Sequence, residues 1–89
     1  MKKITAIEYR SDKAKSVSVA GDFNDWCGSA KGRFDPAIGE MKPEGFGRWR
    51  FSVHGIAPGR HEFKFVIDGT WEPGPNRVLH LDERGHLFD

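Results

Sequence analysis

Apolar and polar residues alternate along most of this chain with a period of two, the spacing of a β-strand that buries one face. In Arg48-Trp49-Arg50-Phe51-Ser52-Val53-His54, the residues Trp49, Phe51 and Val53 share one face, and Arg48, Arg50, Ser52 and His54 the other. In His61-Glu62-Phe63-Lys64-Phe65-Val66-Ile67, the residues Phe63, Phe65 and Ile67 point one way, and Glu62, Lys64 and Val66 the opposite way. Val17 and Val19 alternate with Ser16 and Ser18. Thr5, Ile7 and Tyr9 form a similar set near the start, and Leu79, Leu81 and Leu87 mark weaker strands near the end. Turn chemistry separates these runs. Asp68-Gly69 is a strong two-residue hairpin signal, because both residues tolerate the positive φ such turns require. Ala57-Pro58-Gly59 and Glu83-Arg84-Gly85 read as further turns. With no helical period anywhere, the pattern predicts an all-β antiparallel sandwich of about seven strands. Its core is expected from Val17, Val19, Trp49, Phe51, Val53, Phe63 and Phe65. The stretch 27–47 breaks the alternation. It is Gly-rich, contains Pro36 and Pro43, and reads as a long loop around a short strand near Met41.

Composition narrows the class. A length of 89 residues predicts a single domain over 1–89 with a thin core. Net charge is +1, from 14 basic and 13 acidic residues, and no basic run stands out, which argues against nucleic acid as partner. No stretch approaches the ~18 apolar residues of a membrane span. Thr5 and Glu8 interrupt the apolar residues near the start, so no export signal is read there. A single cysteine, Cys27, cannot close an internal disulfide. These features together predict a cytoplasmic chain.

The tryptophans carry the most information. Trp49 is in phase with Phe51 and Val53 and belongs to the core. Trp26 follows the turn-like Gly21-Asp22-Phe23-Asn24-Asp25, and Trp71 follows the Asp68-Gly69 hairpin, so strand alternation places neither. Two readings stand open for them: each caps an end of the sandwich, or they form an aromatic platform. Sugar rings present apolar C–H faces, for which a flat indole is a rigid surface. Lys64, on the face opposite Phe63 and Phe65, can donate hydrogen bonds to sugar hydroxyls or simply be solvated.

Catalytic patterns are weak by comparison. Gly28-Ser29-Ala30-Lys31-Gly32 has the spacing of neither a nucleophile elbow nor a phosphate loop. His54, His61, His80 and His86 are scattered without a short ligand spacing, and Asp22-Phe23-Asn24-Asp25 lacks the other ligands of a calcium loop. Acid pairs such as Asp82 and Glu83 exist, but glycoside hydrolysis needs two carboxylates across a cleft about 5–10 Å wide. Cys27 reads as a small structural thiol. No enzymatic activity, metal or cofactor is expected.

Three segments, taken together, sharpen the reading. Val17-Ser18-Val19-Ala20-Gly21-Asp22-Phe23-Asn24-Asp25-Trp26 resembles the V-x-G-x-F-N-x-W opening of the family 48 carbohydrate-binding modules. Gly47-Arg48-Trp49 through Val53 resembles the family's Trp-bearing strand. Pro58-Gly59-Arg60-His61-Glu62-Phe63-Lys64-Phe65-Val66-Ile67-Asp68-Gly69-Thr70-Trp71 is similar to its P-G-x-H/Y-x-Y-K-F-x-V-D-G-x-W hallmark. The family includes the glycogen-binding domain of the AMP-activated protein kinase β subunit and N-terminal domains of glycogen-branching and debranching enzymes. The resemblance implies an immunoglobulin-like sandwich of the early-set type. It also implies a sugar site in which Trp26 and Trp71 are the platform and Lys64 the basic donor. Departures are visible too. Where binding members close the site with an apolar residue, Gly, Thr and then Asn, this chain has Arg84, Gly85, His86 and, near the Asn position, Phe88. His86 is the polar replacement that can donate or accept. The segment 27–40 is longer than is usual for the family.

Two functional readings follow. The first is a non-catalytic module that binds α-1,4-glucan, as in glycogen, starch or maltooligosaccharide, by stacking on Trp26 and Trp71 with Lys64 and His86 as polar contacts. The second is a structural or protein-interaction module attached to a glycogen-metabolising enzyme or a kinase complex. Exposure of both Trp26 and Trp71 on one patch favours the first, and burial of either under the loop 27–40 favours the second.

Overall fold

The computed structural model describes residues 5–88, apart from the side chain of Phe88. Its strands are β1 (Ala6–Arg10), β2 (Val17–Gly21), β3 (Lys42–Pro43), β4 (Arg48–Ser52), β5 (Gly59–Ile67), β6 (Thr70–Trp71), β7 (Arg77–Leu81) and β8 (Leu87–Phe88). They form two antiparallel sheets. The smaller has the order β1-β4-β3, and the larger β2-β5-β7-β8 with β6 also paired to β5. The all-β sandwich expected from alternation is the architecture observed. Three 3-10 turns, Asp22–Asn24, Ser29–Lys31 and Pro36–Gly39, interrupt the long connection between β2 and β3.

The inward faces meet in one core. Val17, Val19, Trp49, Val53, Phe63 and Phe65 are buried there with Ile7, Met41, Leu79 and Leu81. Phe65 stacks tilted on Tyr9 at 4.6 Å and meets Phe63 edge-on at 5.5 Å. Trp49 donates its indole N–H to the carbonyl of Ser11 at 3.2 Å, so its one polar atom is satisfied. Phe51, expected in the core, is only half-buried. The reason lies in the sheet: β3 pairs with β4 no further than Lys42 opposite Arg50, which leaves that edge of β4 uncovered beside Phe51. Ser18 departs the other way. Alternation puts it on the outer face, yet it is buried at 4% exposure because a loop lies over it.

The two-residue hairpin between β5 and β6 forms as its sequence dictates. Asp68 and Gly69 both have positive φ, 50° and 83°, and Ile67 pairs with Thr70 across the turn. Asp68 also fastens the β1–β2 connection, because its Oδ1 accepts the backbone N–H groups of Lys15 and Ser16 at 2.8 Å each.

A histidine stitches the two ends of the sandwich edge together. His61 Nε2 lies 2.7 Å from the carbonyl oxygen of Ala57 and Nδ1 lies 2.6 Å from Asp22 Oδ1. A carbonyl and a carboxylate only accept, so both ring nitrogens donate and the imidazolium form fits the site. Burial opposes the charge, but the Ala57 carbonyl and the Asp22 carboxylate outweigh it and raise the His61 pKa. The folded state therefore binds the proton more tightly than the unfolded chain. This contribution is fully present below the ordinary histidine value and is lost as pH rises through the raised folded value.

Two measurements check the fold. Phe65→Ala should lower unfolding free energy by about 3–5 kcal/mol in a denaturant titration. Chemical denaturation from acidic to mildly alkaline pH should show stability falling on the high-pH side of the ordinary histidine range. That fall should disappear in His61→Gln.

Candidate functional site

The site lies on the outer face of the large sheet, and strand register assembles it. Ala20 pairs with Lys64, Ser18 with Val66, and Val66 with Trp71, so these side chains share the face turned away from the core. An outer face is normally solvated, but Ala20 and Val66 are buried at 0% and 2% exposure. They form a second apolar cluster with Cys27, onto which Trp26, Phe34 and Trp71 pack as half-buried side chains. Burying a side chain the size of valine stabilises by about 1.5–3 kcal/mol, enough to hold a loop against an exposed sheet.

Trp26 reaches this cluster from a left-handed turn. Asp25, Trp26 and Cys27 all have φ near +55°: 54°, 54° and 55°. For residues other than glycine this conformation costs roughly 1–2 kcal/mol each. Asn24 offsets the strain. Its Oδ1 accepts the N–H groups of Gly21 and Cys27 at 3.0 Å each, and its Nδ2 donates to the carbonyl of Val19 at 2.9 Å. The backbone adds Trp26 N–H to Gly21 carbonyl at 2.8 Å. Cys27 lies beneath, its Sγ 3.3 Å from the Val19 carbonyl oxygen. Burial pushes its thiol above the ordinary value, so it stays protonated and packs as a small apolar group.

The loop 27–40 then folds back over β2. Ser18 Oγ donates to the carbonyl of Pro36 at 2.8 Å, and Ser18 bridges to Glu40. The approach is closest at Gly39, where a Cβ would collide with the Val19 carbonyl oxygen and crowd Cys27 Sγ, so only glycine fits. The loop delivers Phe34 to Trp71, their rings 5.4 Å apart and tilted by 48°. Such pairs add about 0.5–1.5 kcal/mol beyond their buried area.

Lys64 and Glu72 fasten the segment that follows Trp71. The Lys64 ammonium donates to the carbonyls of Glu72, at 3.0 Å, and Gly74, which fixes the Pro-Gly turn that follows Trp71. An ammonium has three protons, so one donor remains. Glu72 receives the Arg77 guanidinium through two bonds, 2.8 and 3.1 Å, and the N–H of Phe65 at 3.1 Å. Burial opposes ionisation of this carboxyl, but Arg77 and the Phe65 N–H outweigh it and its pKa is lowered.

Of the residues singled out in the sequence, Trp26, Lys64 and Trp71 are brought onto one face. His86 is not. β7 runs antiparallel to β5 with Gly59 opposite Leu81, and it carries the following hairpin to the end of β5 remote from Trp71. His86 there lines a groove with Thr5, His54, Pro58 and Arg84, and its Nδ1 is 3.9 Å from Asp82. Val66 is seven residue steps from Gly59 along β5, about 23 Å. His86, expected as a polar contact of the site, therefore lies off this face, and Arg84 with it. Phe88, placed by the same comparison, has a side chain outside the described residues. Phe34 was missed in the sequence because no alternation governs a loop. The signal available was an aromatic residue inside an otherwise polar, Gly-rich segment.

Comparison with known proteins gives the family. A family model described as the glycogen recognition site of AMP-activated protein kinase matches residues 4–89. The chain belongs to this family. Membership makes it a carbohydrate-recognition domain by descent, and the outer-face patch is its candidate site. The chain is also 31% identical over 77 residues to Protein FLOURY ENDOSPERM 6, chloroplastic, of Oryza sativa subsp. japonica, an alignment that covers 85% of this chain and 12% of that protein. The chain thus spans a small part of the length of this relative.

The turn that carries Trp26 can be tested directly. Asn24→Ala removes three hydrogen bonds at a strained turn and should destabilise by about 2 kcal/mol or more. Asn24→Asp keeps both Oδ1 bonds and loses only the donor to Val19, so its loss in the same urea titration should be smaller.

Proposed function

We propose that this domain is a non-catalytic module that binds α-1,4-linked glucan by stacking sugar faces on Trp26 and Trp71, with Lys64 donating to hydroxyls. The observation that carries the reading is the convergence of these three side chains on one sheet face, two of them indoles that strand alternation leaves unexplained. The indoles are only half-buried, so each keeps surface for a ligand. Phe34 widens the same apolar patch. A role without catalysis is supported by the placement of Glu72, the carboxylate next to Trp71: it lies opposite Phe65 and so turns away from the patch, where Arg77, 5.0 Å from the Phe65 ring, binds it through two bonds.

The flat face also sets the affinity. Without a closing wall, binding at the aromatic patch rests on stacking and one ammonium proton. A Kd of about 0.1 mM or weaker follows for maltoheptaose, equivalent to roughly 5.5 kcal/mol. A second reading, a structural or protein-interaction module beside a glycogen-metabolising enzyme, is favoured by Phe34 covering part of Trp71 and by the carbonyls that occupy Lys64.

Calorimetric titration with maltoheptaose separates the two. Trp26→Ala and Trp71→Ala should each weaken binding by about 2 kcal/mol while the folded circular-dichroism signal persists. Equal binding by both variants and the parent would favour the second reading.

A further inference from the structure

The outer face of β5 continues beyond Lys64 to Glu62 and Arg60. Alternate residues on one strand face lie about 7 Å apart, so Glu62 is one step past Lys64, and about 13 Å from the level of Trp71. Across the ladder, Glu62 pairs with Val78 of β7. Val78 is 45% exposed, and since β8 pairs with β7 only at His80 and Leu81, no described strand lies beyond β7 at this level. A large apolar side chain open on the outer face of the sheet contributes little to the core. The groups around it are polar and pre-positioned. Glu62 Oε2 accepts from Arg60 at 3.0 Å and Oε1 from Asn76 Nδ2 at 3.2 Å. A carboxylate has about four acceptor positions and two are filled, and Asn76 keeps its carbonyl oxygen and second N–H.

An apolar floor flanked by fixed donors and acceptors matches a sugar ring, which has an apolar face and a rim of hydroxyls. The alternative occupants fit less well. An anionic ligand would meet the Glu62 carboxylate, and a purely apolar one would strand Glu62 and Asn76 without water. The floor is continuous with the aromatic patch through Lys64. We propose that the glucan site extends along β5 and β7, with Val78 as a second platform and Glu62 and Asn76 as hydroxyl partners, so that long glucan chains are preferred over short ones. This rests on the aromatic site proposed above.

Maltotriose and maltoheptaose, titrated calorimetrically, read the extension. Maltoheptaose should bind the parent about tenfold more tightly than maltotriose. Glu62→Ala combined with Asn76→Ala should abolish that preference and leave maltotriose unchanged. Val78→Lys should do the same by placing a charge on the floor. All three positions face outward, and an unchanged thermal midpoint verifies folding. Equal affinity of the parent for the two sugars, or a parallel loss for both in the Glu62/Asn76 variant, overturns the extension alone. Unchanged affinities in Trp71→Ala, or no binding of either sugar to the parent, overturn the aromatic reading and the extension with it.

Discussion

β5 hydrogen-bonds to β2 along one edge and to β7 and β6 along the other, so nine residues position every strand of the large sheet, β8 through β7. The same strand is apolar on both faces over part of its length. Phe63 and Phe65 enter the main core, and Val66 anchors the cluster outside it. A strand buried on one face is indifferent to what covers the other. This one is not, because exposed Val66 and Ala20 would leave a bare apolar strip on the sheet. The long connection after β2 is the cover, and the two tryptophans are its rim. The site is thus a by-product of a packing demand, and its position is tied to the register of β2 on β5.

Covering the strip sets a backbone problem at Trp26. The chain leaves β2 at Gly21 and must turn back over the strand it has just finished, within five residues. The left-handed turn at residues 25–27 achieves this reversal. Strain of this kind persists only where neighbouring contacts fix it, and it concentrates at ligand sites. Asn24 supplies those contacts from inside the turn, with one amide group bonded to the strand end, the turn and β2. Aspartate could not replace it fully, since a carboxylate oxygen would then face the Val19 carbonyl.

Much of this is legible in the sequence, and the limits have physical causes. Period-two alternation placed Trp49, Phe63, Phe65, Val17 and Val19 correctly, because one face of each strand meets a continuous core. Alternation also identified Trp26 and Trp71 by their failure to fit it. It misjudged Ser18 and left Val66 among the solvated residues, because it cannot foresee a loop that covers the outer face. It could not reach Phe34 at all. The placement of His86 failed for a different reason. The resemblance to the family's closing pattern fixes a position along the chain, whereas the direction of β7 decides at which end of the sheet that position falls. Glu62, Asn76 and Val78 likewise meet only through the β5–β7 register, since in sequence they are separated by the hairpin and the Pro-Gly turn.

Lys64 shows how rigidity shapes what such a face can do. A free lysine side chain loses up to about 2 kcal/mol of rotamer entropy when it is immobilised by a ligand. Here the carbonyls of Glu72 and Gly74 have already immobilised it, within folding rather than binding. The remaining proton is therefore a donor in a fixed direction, and the indoles, each with two rotatable bonds, are similarly settled by Phe34 and the Cys27 cluster. A pre-ordered surface of this kind binds with little entropic penalty but cannot close around its ligand. For the glucan proposed as ligand, selectivity would then come from length and curvature along the face, since each added contact would lie farther along β5 and not deeper in a pocket.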